Sequence, residues 1–125
     1  MDMNAGDILT STARCHADRI AWIWGDNTRT YGESNRRADA VARLLTALGI
    51  GRGDRVAIYI ENCPEAMEVF FGVLKTGAAA VPLNARYTAS ELDFQLNDVE
   101  PRALLVGPDS GPAVPGVHAQ PVGAE

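Results

Sequence analysis

Short apolar runs alternate with helical patterns between residues 55 and 106, and this alternation constrains the fold more than any other feature of the sequence. Residues 56–60, 78–83 and 103–106 are continuous apolar runs, which are typical of strands covered on both faces of a parallel sheet. Pro82 removes one ladder donor, so the second strand is expected to end there or to lie at a sheet edge. The pattern predicts an α/β fold with a β-α-β-α-β unit, a mostly parallel sheet and right-handed crossovers.

The first connecting helix is expected to begin after Asn62, whose side chain is suited to capping, with Pro64 in the first turn. Residues 66–74 are almost entirely apolar. The few exceptions in and around this segment lie along one narrow stripe at helical spacing: Glu65, Glu68, Gly72 and Lys75. We therefore expect this helix to be nearly surrounded by protein.

The second connecting helix is expected to begin after Thr88, because Thr88 and Glu91 have the spacing of a capping box. Pro101 ends it. Three apolar residues share one face of this helix: Leu92, Leu96 and Val99.

The residues before this unit predict an amino-terminal helix over residues 4–17, with Asp7 near its positive end. A β-hairpin should follow, with strands at 20–24 and 28–30 and a turn at residues 25–27. A second capping box, formed by Thr30 and Glu33, begins a long helix, and Gly49 is suited to end it in a left-handed conformation. Its apolar face comprises Ala38, Val41, Ala42, Leu45 and Leu48.

Residues 107–125 contain repeated glycine and proline and leave little room for a regular element. We interpret residues 1–106 as the folded part of the chain. Residues 107–125 are interpreted as a linker or a truncated tail that leads into a part not present in the sequence.

The charge balance argues against nucleic acid and anionic membranes as partners, because 11 Lys and Arg against 16 Asp and Glu give a net charge of −5. The two cysteines and the absence of a basic, apolar leader favour a cytoplasmic protein with free thiols. The most apolar long window, residues 66–83, is interrupted by Glu68, Lys75 and Pro82, so no transmembrane segment is expected.

Two glycine-containing stretches resemble phosphate-binding loops only superficially. Residues 49–54 follow a predicted helix and precede a strand, the reverse of the order that points amides at a phosphate, so helix capping and turn formation are favoured. The stretch LKTG at residues 74–77 has its lysine before the glycine, and no complete phosphate-loop motif occurs in the sequence.

Other candidates for chemistry have stronger structural explanations. Cys63 lies at a strand-to-helix turn, where a helix terminus lowers a thiol pKa, but no histidine is near in sequence. Cys15 and His16 are too few for a zinc site and suit a surface helix end. Glu61 and Glu65 flank the carboxyl end of the first strand, where capping and solvation are the favoured roles.

Arg86 is the strongest candidate for binding, because it follows a buried strand and precedes a capped helix. Its guanidinium is therefore expected at the carboxyl edge of the sheet, where it could hold a phosphate or carboxylate through two hydrogen bonds. A local ion pair with Glu91 is the competing structural role.

Three stretches together resemble the start of the adenylate-forming superfamily, which includes AMP-forming acyl-CoA synthetases, luciferases and the adenylation domains of peptide synthetases. Residues 30–38, TYGESNRRA, resemble the family's Thr-Tyr-x-Glu-Leu-Asn-x-x-Ala, with Ser34 in place of the usual leucine. The others are GDRVA at 53–57 followed by NCPE at 62–65, and LKTGA at 74–78 leading to VPLNAR at 81–86. The Asn-x-Arg ending is more similar to the acyl-CoA synthetase branch.

The resemblance implies that residues 1–106 form part of the large amino-terminal, AMP-binding domain of an acyl-CoA synthetase. It implies ATP, Mg²⁺ and coenzyme A as reactants and cofactors, with a carboxylic acid as substrate, and a coenzyme A phosphate contact for Arg86. The family's phosphate loop and catalytic lysine have no counterpart in this sequence. The 125 residues alone are therefore expected to be inactive, to bind no cofactor tightly, and to self-associate through uncovered apolar surface.

A different class of function stays open at this point. The chain could be a free-standing α/β module that binds a nucleotide or a protein partner without catalysis. A longer reading frame that carries the missing phosphate loop would exclude this alternative.

Overall fold

The computed structural model describes residues 4–60, 63–84, 86–106 and 118–121. Helices and strands occur in the order α1 (Gly6–His16), β1 (Ile20–Trp24), β2 (Asn27–Thr30), α2 (Tyr31–Ala47), β3 (Arg55–Tyr59), α3 (Pro64–Lys75), β4 (Ala79–Pro82), α4 (Ala89–Val99), β5 (Ala103–Val106) and β6 (His118–Pro121). The predicted helix, hairpin and β-α-β-α-β unit are all present.

The four-stranded sheet has the order β4-β3-β5-β6. Strand β3 pairs in parallel with both β4 and β5, which confirms the predicted parallel unit. Strand β4 lies at an edge and ends at Pro82, as the missing amide of proline requires. Only half-buried or exposed residues make up β4, so the expectation of burial on both faces is wrong for this strand.

Strand β6 corrects the expectation that residues 107–125 leave little room for a regular element. Residues His118–Pro121 pair antiparallel with β5, so that Val106 lies opposite His118 and Ala103 opposite Pro121. Backbone pairing with an apolar neighbour strand outweighs the weak strand propensity of this segment. The remaining residues of the predicted tail lie outside the described part of the chain.

Local signals located most helix ends correctly. Thr30 and Glu33 form the predicted capping box of α2, and Thr88 and Glu91 form that of α4. Gly49 has a φ of 82°, which a residue without a side chain adopts most easily just after a helix.

Two local predictions are wrong. The residue that caps α3 is Cys63, which makes no side-chain capping hydrogen bond; Asn62 lies outside the described residues. In the hairpin, Asn27 pairs with Trp24 and so belongs to β2, which leaves only Gly25 and Asp26 to form the turn.

The core lies between the sheet and the packed pair α2 and α3. All residues of α3 are buried or half-buried, as its apolar composition predicted. The two helices approach closely at Gly72, where an added Cβ would lie 2.6 Å from the Cβ of Val41. The core comprises Val41, Leu45, Ile50, Val56, Ile58, Ile60, Val69, Val73, Ala78, Ala103 and Leu105.

Candidate functional site at the carboxyl edge of the sheet

The carboxyl ends of the three parallel strands meet at one edge of the sheet. Ile58 of β3 lies opposite Pro82 of β4, and Tyr59 lies opposite Val106 of β5. In open parallel sheets ligands bind in the crevice outside the carboxyl ends of the strands.

Arg86 lies in the loop that leaves this edge. Leu83 continues the pairing by donating its amide to the Ile58 carbonyl at 2.8 Å. The Asn84 side-chain oxygen then accepts from the Arg86 amide at 2.9 Å, and the Tyr59 hydroxyl donates to the Tyr87 carbonyl at 3.0 Å. These bonds hold the loop to β3 and leave Arg86 exposed at the edge.

The competing ion pair of Arg86 with Glu91 is not formed. The Glu91 carboxylate accepts instead from the Thr88 amide at 3.2 Å, because it completes the capping box of α4. Among the residues that the structure describes, the Arg86 guanidinium has no acidic side chain within ion-pair distance. Its guanidinium donors are therefore available for an anionic group of a ligand.

Cys63 and Glu65 lie at the same edge, at the start of α3. Burial raises the pKa of the Cys63 thiol and the Glu65 carboxylate raises it further, in agreement with the structural role that the sequence favoured for Cys63. Burial also tends to raise the pKa of Glu65, but hydrogen bonds from its own amide and from Cys63, with the charges of Arg29 and Arg37, lower it overall. Glu61 lies outside the described residues.

The glycine-containing stretches have the structural roles that sequence analysis favoured. The Asp54 carboxylate accepts from the Gly51 amide at 2.9 Å, and this bond closes the turn between α2 and β3. Lys75 is the last residue of α3, and its ammonium group donates a hydrogen bond to the Asp39 carboxylate at 2.6 Å. It therefore contributes to the packing of α3 against α2. Cys15 is exposed and His16 ends α1, in agreement with a surface helix end.

Within the described ranges, no three acidic, histidine or cysteine side chains are grouped closely enough to hold a metal ion. No helix in the described part of the chain is long and apolar enough to cross a bilayer.

A buried charge cluster is the feature that sequence analysis missed. Glu68 is only 3% exposed and accepts hydrogen bonds of 2.7 Å from both Arg29 and Arg37. Ser34, also buried, donates to it at 3.4 Å. The sequence identified Glu68 as part of the polar stripe of α3. Residue spacing alone does not predict which elements the stripe faces, and in the structure it faces α2 and the hairpin.

Comparison with known proteins identifies the family. The family model of AMP-binding enzymes matches residues 9–123. The chain belongs to this family. The adenylate-forming resemblance drawn from the three sequence stretches is therefore confirmed.

Relatives named as acyl-CoA ligases are among the proteins that match. Long-chain-fatty-acid–CoA ligase FadD13 of Mycobacterium tuberculosis is 41% identical over 95 residues, covering 76% of this chain and 19% of that protein. Acyl-CoA ligase sidI of Aspergillus fumigatus is 36% identical over 113 residues, covering 89% of this chain and 19% of that protein.

The structural match is with an amino-terminal domain. The crystal structure of the N-terminal domain of FACL13 from Mycobacterium tuberculosis superimposes with a TM-score of 0.79 at 37% identity, over 89% of this chain and 29% of that one. The fold and the amino-terminal, acyl-CoA synthetase character of the sequence are thus confirmed. The chain spans about a fifth of the length of each of these two curated relatives.

Proposed function

We propose that the protein to which this sequence belongs joins a carboxylic acid to coenzyme A with ATP, releasing AMP and pyrophosphate. Membership of the AMP-binding family and the similarity to acyl-CoA ligases support this reaction. The single structural observation that carries the coenzyme A part is the exposed Arg86 at the carboxyl edge, without an acidic partner among the described residues. We also propose that the protein is located in the cytoplasm.

The reaction has two steps. The acid's carboxylate attacks the α-phosphorus of ATP, which forms an acyl-adenylate and releases pyrophosphate. The thiol of coenzyme A then attacks the acyl carbon and releases AMP. The first step needs cationic and amide donors around the phosphorus, with Mg²⁺ on the phosphates.

This chain contributes scaffold and one anion contact to that chemistry. We propose that other parts of the protein hold the Mg²⁺ that accompanies the ATP phosphates. The only lysine, Lys75, is paired with Asp39 and is not available for adenylate formation. Arg86 is proposed to hold a phosphate of coenzyme A, which suits a planar guanidinium with paired donors.

Acid-dependent exchange of pyrophosphate into ATP tests the first step in the whole gene product, and mass detection of the thioester tests the second. A long-chain fatty acid is the first substrate to use, because FadD13 is named for that class, and aromatic acids come next. We expect both signals with at least one acid. A gene product with an intact mass near 13.3 kDa and no exchange with any acid would support the free-standing module instead.

The isolated 125-residue chain is the matched control. We propose that it does not adenylate any acid, because its sequence has neither a phosphate loop nor a free lysine. Exchange by this chain above the no-acid blank would show that the assignment of adenylation to other parts of the protein is wrong.

A further inference from the structure

The loop that carries Arg86 is attached to strand β3 at both of its ends. At its beginning, the Leu83 amide donates to the Ile58 carbonyl at 2.8 Å. At its end, the Tyr59 hydroxyl donates to the Tyr87 carbonyl at 3.0 Å. Ile58 and Tyr59 are consecutive residues of β3, so one short segment of strand holds both ends of the loop.

The two attachments depend on different groups. The bond at Leu83 joins two backbone groups and continues the pairing of β3 with β4. Within the loop, the Asn84 carbonyl accepts from the Tyr87 amide at 3.1 Å, and the Asn84 side-chain oxygen accepts from the Arg86 amide at 2.9 Å. These local bonds shape a turn but do not fix its end against the sheet. The bond at Tyr87 does so, and it depends on the side chain of Tyr59.

Helix α4 gives the end of the loop little support of its own. It begins two positions after Tyr87, and none of its residues, all of which the structure describes, is buried. A segment with few buried contacts opens easily. Tyr59, in contrast, is half-buried at the end of β3, which pairs with a strand on each side. The hydroxyl therefore belongs to the better-anchored partner of this bond.

We infer that Tyr59 is a positioning residue for Arg86. Its hydroxyl holds the backbone one residue beyond Arg86, which keeps the guanidinium at the carboxyl edge in place for an anion. The inference rests on the proposed function, under which that anion is a phosphate of coenzyme A. If the loop were released, binding of coenzyme A would first have to order it, so affinity would fall while adenylate formation would not.

Tyr59→Phe in the whole gene product removes only the hydroxyl that makes this bond. Hydrogen exchange of the peptide over residues 83–88 should become at least threefold faster, because the loop opens more often. The KM for coenzyme A should rise about three- to tenfold, as expected for the loss of one hydrogen bond between uncharged groups. Acid-dependent pyrophosphate exchange should stay close to that of the wild type.

Tyr31→Phe is the matched control, because Tyr31 is a half-buried tyrosine at the start of α2, outside the loop. It should change neither the hydrogen exchange of residues 83–88 nor the KM for coenzyme A. A general loss of folded protein would instead lower both half-reactions equally. Circular dichroism establishes that each variant is folded.

Combining Tyr59→Phe with Arg86→Ala distinguishes positioning from a separate structural role. If Tyr59 acts through Arg86, Tyr59→Phe should raise the KM for coenzyme A no further once Arg86 is alanine. The inference is overturned by an equal rise in that background, by unchanged hydrogen exchange of the loop, or by equal loss in both half-reactions. It is also overturned if Arg86→Ala raises the KM for coenzyme A and Tyr59→Phe does not.

Failure of the proposed function gives a different result. Arg86→Ala would then leave the KM for coenzyme A unchanged, or the wild type would form no thioester. Hydrogen exchange of residues 83–88 in Tyr59→Phe still decides, without coenzyme A, whether the Tyr59 hydroxyl holds the loop.

Discussion

Arg29 on β2 and Glu68 on α3 are 39 residues apart in sequence, yet one guanidinium nitrogen of Arg29 lies 2.7 Å from both carboxylate oxygens of Glu68. Arg37 of α2 binds the same carboxylate. A single acidic side chain thus connects the hairpin, α2 and α3. Because it is buried, its charge depends on these two arginines for compensation.

Glu68→Gln should lower the free energy of unfolding by about 2–3 kcal/mol. Breaking a fully buried ion pair costs about 3–5 kcal/mol, and the loss is smaller here because the side chains of Arg29 and Arg37 are 24% and 30% exposed. Urea unfolding followed by circular dichroism measures the change.

Glu65→Gln is the control for this substitution, because Glu65 lies 3.6 Å from Arg29 and is more exposed. We expect a change of less than about 1 kcal/mol. If the two substitutions lower the free energy of unfolding equally, burial of Glu68 does not determine how much it contributes to stability.

The features predicted correctly from the sequence are those that depend on neighbouring residues. Thr30 and Glu33 are three positions apart, so their capping box is visible in the sequence, and Gly49 marks a helix end by its own backbone preference. The parallel unit followed from apolar runs and their spacing.

The features that sequence analysis missed depend on distant residues. The partners of Glu68 are 39 and 31 positions away, and no periodicity identifies them. Strand β6 is stabilised by pairing with β5, which outweighs its own weak propensity. At the candidate site, the location of Arg86 was predictable from the sequence. The sequence did not show that Glu91 bonds to the Thr88 amide and forms no ion pair with Arg86.

Gly72→Ala should destabilise the protein by about 1–2 kcal/mol, although alanine normally favours a helix over glycine by about 1 kcal/mol. The new Cβ would lie 2.6 Å from the Cβ of Val41 and 2.8 Å from the carbonyl oxygen of Ala38, so α2 and α3 must separate. Thermal unfolding tests this, with Gly51→Ala as the control, since its nearest neighbour is 3.9 Å away. A more stable Gly72→Ala variant would contradict the close packing.

The capping box of α2 should make stability depend on pH. Hydrogen bonds from the Thr30 amide and hydroxyl lower the pKa of Glu33. A carboxyl group whose pKa is lowered by folding stabilises the protein above its unfolded pKa, and this contribution is lost as the pH falls through about 4 and below. The stability difference between wild type and Glu33→Gln, measured from pH 7 to pH 3, should therefore shrink on acidification. A constant difference would show that the charge of Glu33 is not involved.

The isolated 125-residue chain should self-associate. Ile23 of the hairpin is 72% exposed and Phe94 of α4 is 69% exposed, and α4 has no buried residue. Exposed apolar surface of this kind favours association. Light scattering at tens of micromolar should detect species larger than 13.3 kDa, and Ile23→Lys together with Phe94→Lys should reduce them. A clean wild-type monomer that binds no hydrophobic dye would contradict this expectation.

Arg86→Ala in the whole gene product separates the two half-reactions and so tests the proposed coenzyme A contact. We expect the KM for coenzyme A to rise roughly tenfold or more, since a hydrogen bond to a charged group contributes about 1.5–3 kcal/mol. Acid-dependent pyrophosphate exchange should stay close to that of the wild type. Equal loss in both half-reactions, or an unchanged KM for coenzyme A, would contradict a coenzyme A contact at the carboxyl edge of the sheet.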